Sequence, residues 1–223
     1  MAGGGGATDI PARPDRRPRI RGWPDGVSDT QNMAIRRPGV PAPRLPVSMH
    51  HGRRMSEEEY LALPEEKPYL EYVDGLVLQK PMPDGLHAQL VMFLDYLIYR
   101  YILVHGGRGG PERRLRLPDG SGYRLAGTAY WGPGRDMSET SMPTLAVEIR
   151  SEEQAMAELR RKCRTFRANG VDTCWLIDPY ARVVEVFDAD HDGVRLDPGE
   201  LLETAAMPGF TVAQAGLWAA LER

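Results

Sequence analysis

The sequence predicts an α/β or α+β domain built on a mixed β-sheet that is flanked by helices. Two observations carry this prediction. Apolar runs of strand length alternate with segments whose apolar residues recur at helical spacing, and no segment repeats along the chain. Hydrophobic residues make up 42% of the 223 residues, which is enough for one domain with its own core.

The first 54 residues differ from the rest in composition. They contain eight glycines, eight prolines and ten arginines against four aspartates, a formal charge of +6, whereas the remainder carries −9. We therefore expect a disordered basic leader over 1–54 and a folded domain over 55–223. Two interpretations of the leader stay open: an arm that touches nucleic acid, or a flexible extension that precedes a natural start at Met55.

Charge and cysteine content narrow the classes of function. The acidic balance of the folded part argues against a broad phosphate-binding face. Cys163 and Cys174 form no spaced framework, which indicates a reduced, cytoplasmic protein. No apolar run approaches the roughly 20 residues that span a bilayer, so no membrane partner is expected.

Local signals place the first elements. Ser56 and Glu59 have the S-x-x-E spacing of a capping box and predict a short helix that Pro64 stops. Asp74-Gly75 lies between two apolar runs and predicts a β-hairpin.

The remaining elements follow from periodicity and turn residues. A long helix ends at Gly106, and two strands joined by a turn at 119–120 come next. The apolar run 144–150 is a strand. A second capping box at 151–154 predicts a helix that starts there and runs to about Asn169.

Glu148 lies in the middle of an apolar strand. Alternation places it on one face with Ala146 and Arg150, while Val147 and Ile149 face the other side. An unpaired buried carboxylate is costly. Either Glu148 occupies an edge position, paired with Arg150 or facing solvent, or it is a buried functional carboxylate.

Lys162 is the second candidate. It lies three residues after Leu159 and four before Phe166, beside the apolar stripe of its helix. This helix follows the strand of Glu148 and can fold back over it, so Lys162 can point at Glu148. The alternative is a surface lysine at the edge of the stripe.

Two further candidates carry weaker signals. His87 lies near the start of the long helix, where a single histidine is also compatible with a structural or exposed role. Glu71 lies in an apolar strand whose alternation also fits an outer-face position. The chain has no HExxH, CxxC, P-loop or GxSxG motif, so Cys/His metal clusters and nucleophile-elbow hydrolysis are unsupported.

Six blocks of the chain resemble, in order, those of the Uma-two family of restriction endonucleases in the PD-(D/E)xK nuclease superfamily. The resemblance covers about residues 55 to 212. The blocks are "MSEEEYLALPEE", "YLEYVDGLV", "HAQLVMFL", "LAVEIRS", "KCRTFRANGVDTCWLIDP" and "ARVVEVF".

The resemblance implies a restriction-endonuclease-like fold that hydrolyses DNA phosphodiesters with Mg²⁺ or Mn²⁺. In such nucleases two acids on adjacent strands hold the metal, and a lysine, here on the following helix, orients the attacking water. Glu148 matches the metal-binding catalytic glutamate and Lys162 the catalytic lysine. Glu71 and His87 match positions near the site.

One motif position departs from the family. Its second metal-binding acid follows a proline, and aligning Tyr130-Trp131 with the family's strand places Ala126 at the proline and Gly127 at the aspartate. No oxygen ligand remains there. A turn or a solvated loop explains the acids nearby in sequence, which are Asp119, Asp136 and Glu139.

Three hypotheses follow. The chain is a nuclease-fold protein whose activity is weakened or lost, an active endonuclease completed by a compensating acid, or a non-catalytic module that binds DNA or a protein. The sequence leaves the oligomeric state open, including a homo-oligomer.

Overall fold

The computed structural model describes Met1 and residues 47–222, which form four helices and twelve strands. The expected leader lies outside the described residues apart from Met1 and its last eight residues. The helices are α1 (Glu57–Leu61), α2 (Gly85–His105), α3 (Met156–Ala168) and α4 (Gln214–Ala220). The strands are β1 (Leu70–Val73), β2 (Leu76–Gln79), β3 (Arg108–Pro111), β4 (Arg114–Arg116), β5 (Gly122–Leu125), β6 (Thr128–Trp131), β7 (Leu145–Ile149), β8 (Thr173–Asp178), β9 (Val183–Phe187), β10 (Asp192–Arg195), β11 (Leu201–Glu203) and β12 (Thr211–Ala213).

The largest sheet has six strands in the order β10-β9-β8-β7-β6-β3. β7 and β8 run parallel, because α3 connects them as a crossover, and the other neighbours are antiparallel. The prediction of a mixed sheet is confirmed.

Helices cover both faces of this sheet. Val147 and Ile149 join the core under α2, whereas Ala146 joins the core under α3. The two faces of β7 are therefore assigned as alternation predicted. Each face is apolar, so a charged side chain within it must find partners inside the protein.

A smaller antiparallel sheet has the order β2-β1-β5-β4, and Tyr60 of α1 is buried against it. The capping box of Ser56 and Glu59 forms as predicted. The hairpin also forms, with positive φ at Asp74 (49°) and Gly75 (80°), as a tight two-residue turn requires.

The last residues of the expected leader pair with the hairpin. The Gly52 N–H donates to the Val77 carbonyl (2.8 Å), and the Val77 N–H donates to the Arg53 carbonyl (2.9 Å). Residues 52–54 thus satisfy the free edge of β2.

The second of the two strands predicted around the 119–120 turn is in fact two strands. β5 belongs to the smaller sheet and β6 to the larger one, and Ala126 and Gly127 carry the chain between them. A continuous strand would keep the same neighbours, whereas β5 pairs with β1 and β4, and β6 pairs with β3 and β7.

The predicted start of α3 at the 151–154 capping box is wrong. The Ser151 N–H donates to Gln154 Oε1 (2.9 Å), which closes a turn rather than a helix. The Ser151 hydroxyl lies 3.2 Å from His87 Nδ1 and so does not cap the helix. α3 begins at Met156 and ends near Gly170, which has a φ of 95°.

Beyond β9, the chain adds β10, the β11–β12 hairpin and α4, which packs beside α2. Among the described helices, none is both long enough and apolar enough to cross a membrane.

Candidate active site

Glu148 lies at the centre of the larger sheet. β7 runs between β6 and β8, and Glu148 pairs with Leu176 of β8. The residue is only 2% exposed. The edge interpretation is therefore wrong, and Arg150 instead forms an ion pair with Asp178 (3.2 Å).

Lys162 reaches Glu148 from α3. Its ammonium lies 3.2 Å from both carboxylate oxygens of Glu148 and donates a hydrogen bond to Oε2. It also donates to the carbonyl of Leu125, at 2.7 Å. Lys162 is 5% exposed, so the surface-lysine interpretation does not hold.

Glu71 enters the same cluster from the smaller sheet. Its Oε1 lies 2.8 Å from the Lys162 ammonium and accepts a hydrogen bond from the Leu125 N–H (2.9 Å). Its Oε2 accepts from Arg124 Nη1 at 2.9 Å. Glu71 is buried, not on an outer face, and one lysine joins the carboxylates of two sheets.

Gly127 faces this cluster from the strand next to Glu148. Thr128 pairs with Val147, so the antiparallel register places Gly127 opposite Glu148. Opposite residues of an antiparallel pair share a face. A Cβ at Gly127 would lie 2.8 Å from the Val147 carbonyl oxygen, which is too close for any side chain without a backbone shift.

The family of the chain is decided by its match to a family model. The model described as "Uma2: Putative restriction endonuclease" matches residues 57–221. The chain belongs to the Uma2 family. This match confirms the resemblance drawn from the six sequence blocks. No curated protein matches the chain.

A solved structure shows the same fold. It is titled as the crystal structure of a putative nuclease belonging to DUF820 from Anabaena variabilis ATCC 29413. It is 22% identical in sequence to this chain, with a TM-score of 0.69, and the match covers 75% of this chain and 99% of that one. The likeness confirms the predicted nuclease fold of this Uma2 protein.

The two glutamates differ in the direction in which their surroundings shift the carboxyl pKa. Burial alone would raise the pKa of Glu71, but the charges of Lys162 and Arg124 outweigh burial and hold that pKa at about 2. Burial raises the pKa of Glu148, and the charge of Lys162 offsets this only in part. Glu148 Oε1 accepts no hydrogen bond from any described residue. Glu71 is the firmly ionised carboxylate of the pair.

Lys162 is held in its charged form. Burial disfavours the ammonium, but Glu148 and Glu71 outweigh burial and raise the pKa of Lys162. Lys162 is therefore a fixed cation between two carboxylates, and a lysine in that state is not a proton acceptor near neutral pH.

Arg124 belongs to this cluster and Lys80 is a second buried cation near it, although sequence reasoning did not single them out. Arg124 bonds Glu71, and Lys80 forms an ion pair with Glu112 at 2.6 Å. Both cations are largely buried. In the sequence, each of the two is a charged residue inside or directly after an apolar strand, which is the same pattern that identified Glu148.

His87 lies in the first turn of α2, beside the residues that follow β7 and outside the ion pairs of the cluster. Its Nδ1 is 3.2 Å from the Ser151 hydroxyl, and its Nε2 has no partner among the described residues. Burial and the charge of Lys80 lower the pKa of His87 to about 4, so the imidazole is neutral at pH 7.

The acids weighed as replacements for the missing aspartate are engaged elsewhere. Asp119 accepts from the Ser121 N–H in its turn (2.8 Å), and Asp136 accepts from the Ser138 hydroxyl (2.9 Å). Glu139 forms an ion pair with an exposed arginine of β4. Glu71 alone among the acids considered shares a partner with Glu148.

The side chains present do not fit the divalent ion that the family resemblance implies. Mg²⁺ requires oxygen ligands at about 2.0–2.1 Å in octahedral geometry. N–H donors occupy both oxygens of Glu71, Gly127 offers no side-chain oxygen, and the Lys162 ammonium lies where the carboxylates converge. Within residues 47–222, no group of three or more His, Cys, Asp or Glu side chains is placed to hold a metal.

Proposed function

We propose that this chain is an Uma2 nuclease-fold protein, descended from metal-dependent DNA endonucleases, in which phosphodiester hydrolysis is weakened or lost. The observation that carries the proposal is the position of Gly127 opposite Glu148, where a second metal-binding acid would stand. In this proposal Glu148 is the remaining metal-ligand position, and Lys162 is the former catalytic lysine.

Charge balance supports the loss of metal binding. A catalytic Mg²⁺ in a nuclease is held mainly by carboxylates, whose negative charge offsets that of the ion. Here Lys162 and Arg124 already neutralise Glu71 and Glu148. A divalent ion placed among these four groups would leave two uncompensated positive charges in a buried site, which is unfavourable.

Burial gives independent support. Phosphodiester hydrolysis requires direct contact between the scissile phosphate, the attacking water and the catalytic groups. Glu71, Glu148 and Lys162 are all buried, and their polar contacts are to one another or to the protein backbone and Arg124.

The active-endonuclease alternative rests on Glu71. Glu71 and Glu148 converge on one point, the Lys162 ammonium, at 2.8 and 3.2 Å. If Lys162 moved away, two carboxylates would face the vacated point. Glu71 is thus the compensating acid that the alternative requires, in place of the three loop acids.

A cleavage assay separates these two functions. Purified protein is incubated with plasmid and single-stranded DNA in Mg²⁺ or Mn²⁺, beside Glu148→Ala, Lys162→Ala and the matched control Arg161→Ala, an exposed residue of the same helix. We expect no cleavage by wild type above that of Glu148→Ala. Cleavage by wild type and Arg161→Ala that Glu148→Ala and Lys162→Ala abolish would establish an active endonuclease instead.

A non-catalytic binding module is the remaining function. A cleft of about 740 Å³ opens beside Leu125, next to the Lys162 cluster. The charged residues of its lining are two arginines and four glutamates, so the net charge of the cleft is negative and disfavours phosphate binding. These residues are Arg113, Arg114, Glu65, Glu66, Glu112 and Glu139. DNA binding would then depend on the basic segment over residues 2–46.

Salt dependence of DNA binding tests this module. The affinity of the full chain for DNA is measured over a range of salt concentrations and compared with a form lacking residues 2–46. A shallower slope after the deletion would assign phosphate contacts to that segment. An unchanged slope would show that the segment makes no phosphate contacts.

Cytoplasmic location is part of the proposal and is supported by two free, buried cysteines.

A further inference from the structure

The outer face of α2 is apolar along most of its length. Four side chains on this face are more than half exposed: Met92, Tyr96, Tyr99 and Leu103. We call these four residues the α2 stripe. A helix on the surface of a protein normally presents charged residues to water. A contiguous apolar patch of this kind marks an interaction surface.

The remaining residues of α2 do not supply the missing charge. Arg100 is the one exposed residue with a fixed charge between Gly85 and Ile102. Asp95 is turned to the sheet, where it accepts a hydrogen bond from the Thr128 hydroxyl. The inner residues of α2 already pack in the core, so the helix is apolar on both faces. A helix that is apolar all round is normally covered.

The spacing of the stripe is that of a helix-pairing seam. Met92, Tyr96, Tyr99 and Leu103 follow one another at intervals of four, three and four residues, the a/d pattern of paired helices. The order aliphatic, tyrosine, tyrosine, aliphatic is the same in both directions. A two-fold axis crossing the helix between residues 97 and 98 therefore places Met92 against Leu103 of a second copy, and Tyr96 against its Tyr99.

We propose that α2 packs antiparallel against α2 of a second copy of this chain and forms a homodimer through the α2 stripe. Antiparallel pairing opposes the two helix dipoles favourably. Arg100 lies at the flank of the seam, 6.0 Å from the ring of Tyr96, where its charge stays in contact with water.

The size of the stripe suits a second copy. Its exposed apolar surface is on the order of 400 Å² per copy. A stable interface buries about 800 Å² per partner around an apolar centre. The stripe thus supplies about half of a standard interface, and residues that flank it on α2 complete the remainder.

The chemistry of the stripe disfavours other occupants. A nucleic acid requires several cations for its phosphates, and the face offers only Arg100. A helix that lies on a membrane carries lysines or arginines along its polar face, which α2 lacks. Tyrosine and methionine are enriched at the centres of protein interfaces.

The proposed interface is independent of the proposed function. α2 covers one face of the larger sheet, whereas Lys162 approaches from α3 on the opposite face. Loss of dimerisation therefore leaves the Lys162 cluster unchanged, and a cleavage result of either kind says nothing about the dimer.

Molecular mass in solution tests the proposal. We expect the full chain to sediment at twice its mass of 24.9 kDa, and Tyr96→Glu and Leu103→Glu to sediment as single chains with unchanged circular dichroism. Val194→Glu and Leu201→Glu place the same charge at exposed apolar positions outside α2 and should remain dimeric. A monomeric wild type, or a dimer that survives both α2 substitutions, would overturn the proposal.

Cysteine cross-linking tests the orientation. The double variant Met92→Cys, Leu103→Cys brings two cysteine pairs together in an antiparallel dimer, while either single variant places its cysteines at opposite ends. We expect oxidation to link the double variant alone. Linking of a single variant, or no link in the double variant, would contradict the antiparallel arrangement.

Discussion

Gly127 lies directly across the β6–β7 ladder from Glu148, with no side chain where a neighbouring strand position would carry one. A Cβ at Gly127 would lie 3.9 Å from the Glu148 Cα. The residue proposed to replace the family's second acid is therefore adjacent to Glu148. The backbone at this point also leaves no room for a side chain, because the Val147 carbonyl lies too close.

The first prediction concerns Gly127→Ala and Gly127→Asp. Both variants should be less stable than wild type by about 1–3 kcal/mol, because a Cβ forces a shift of the adjacent backbone. For a chain of this size, each kcal/mol lowers Tm by roughly 2–4 °C. Only Gly127→Asp should gain thermal stability on addition of Mn²⁺. An equal response of the alanine control would contradict the assignment of Gly127 to the missing metal-ligand position.

The second prediction concerns Lys162→Ala. Removal of the ammonium leaves two buried carboxylates without their shared cation and should cost about 3–5 kcal/mol, measured by denaturant unfolding. Mn²⁺ should restore part of this loss, because the carboxylates then face a vacated cation position. The double variant Lys162→Ala, Glu71→Gln lacks one carboxylate and should not respond to Mn²⁺. A response of similar size in the double variant would show that the ion binds elsewhere.

The third prediction compares Glu71→Gln with Glu148→Gln near neutral pH. The folded pKa of Glu71 is about 2, below the usual 4.5, so its ionised form stabilises the fold by about 3 kcal/mol above pH 4.5. The folded pKa of Glu148 is raised, so any stabilisation it gives is present below pH 4.5 and is lost as the pH rises. Glu71→Gln should therefore destabilise the protein more than Glu148→Gln.

The pH dependence of the same pair gives a second measurement. The stability difference between wild type and Glu71→Gln should shrink as the pH falls from 4.5 towards 2, because Glu71 becomes protonated in both states. The stability difference between wild type and Glu148→Gln should not shrink between pH 4.5 and 2. Equal effects of the two substitutions at every pH would contradict the assignment of Glu71 as the firmly ionised carboxylate.

The fourth prediction concerns His87. Its folded pKa of about 4 is below the usual 6.5, so between these values the unfolded state binds the proton more tightly. Stability should fall by about 3 kcal/mol as the pH drops from 6.5 to 4. His87→Gln should flatten the slope of unfolding free energy against pH in this window. His105→Gln, at an exposed position of the same helix, is the matched control, and an equal change of slope in both variants would contradict the assignment to His87.

Local features of the fold were predictable because neighbouring residues decide them. The Ser56–Glu59 capping box, the Asp74-Gly75 turn and the two faces of β7 all form as the residue pattern indicates. The start of α3 was mispredicted, because Ser151 meets His87 instead of capping a helix.

The split between β5 and β6 was also beyond local reasoning. The residues on both sides of Gly127 have the composition of strands. No local pattern in this segment predicts that β5 and β6 pair with different sheets. Strand pairing depends on residues far away along the chain, which a local pattern does not contain.

The sequence by itself determined the family, the first capping box and the hairpin turn, the candidacy of Glu148 and Lys162, and the absence of an acid at Gly127. Only the tertiary structure decided that Glu71 joins Glu148 on the Lys162 ammonium and that Arg124 completes the charge balance. The physical reason is that a buried charge is tolerated only with partners, and those partners come from other strands and from another sheet.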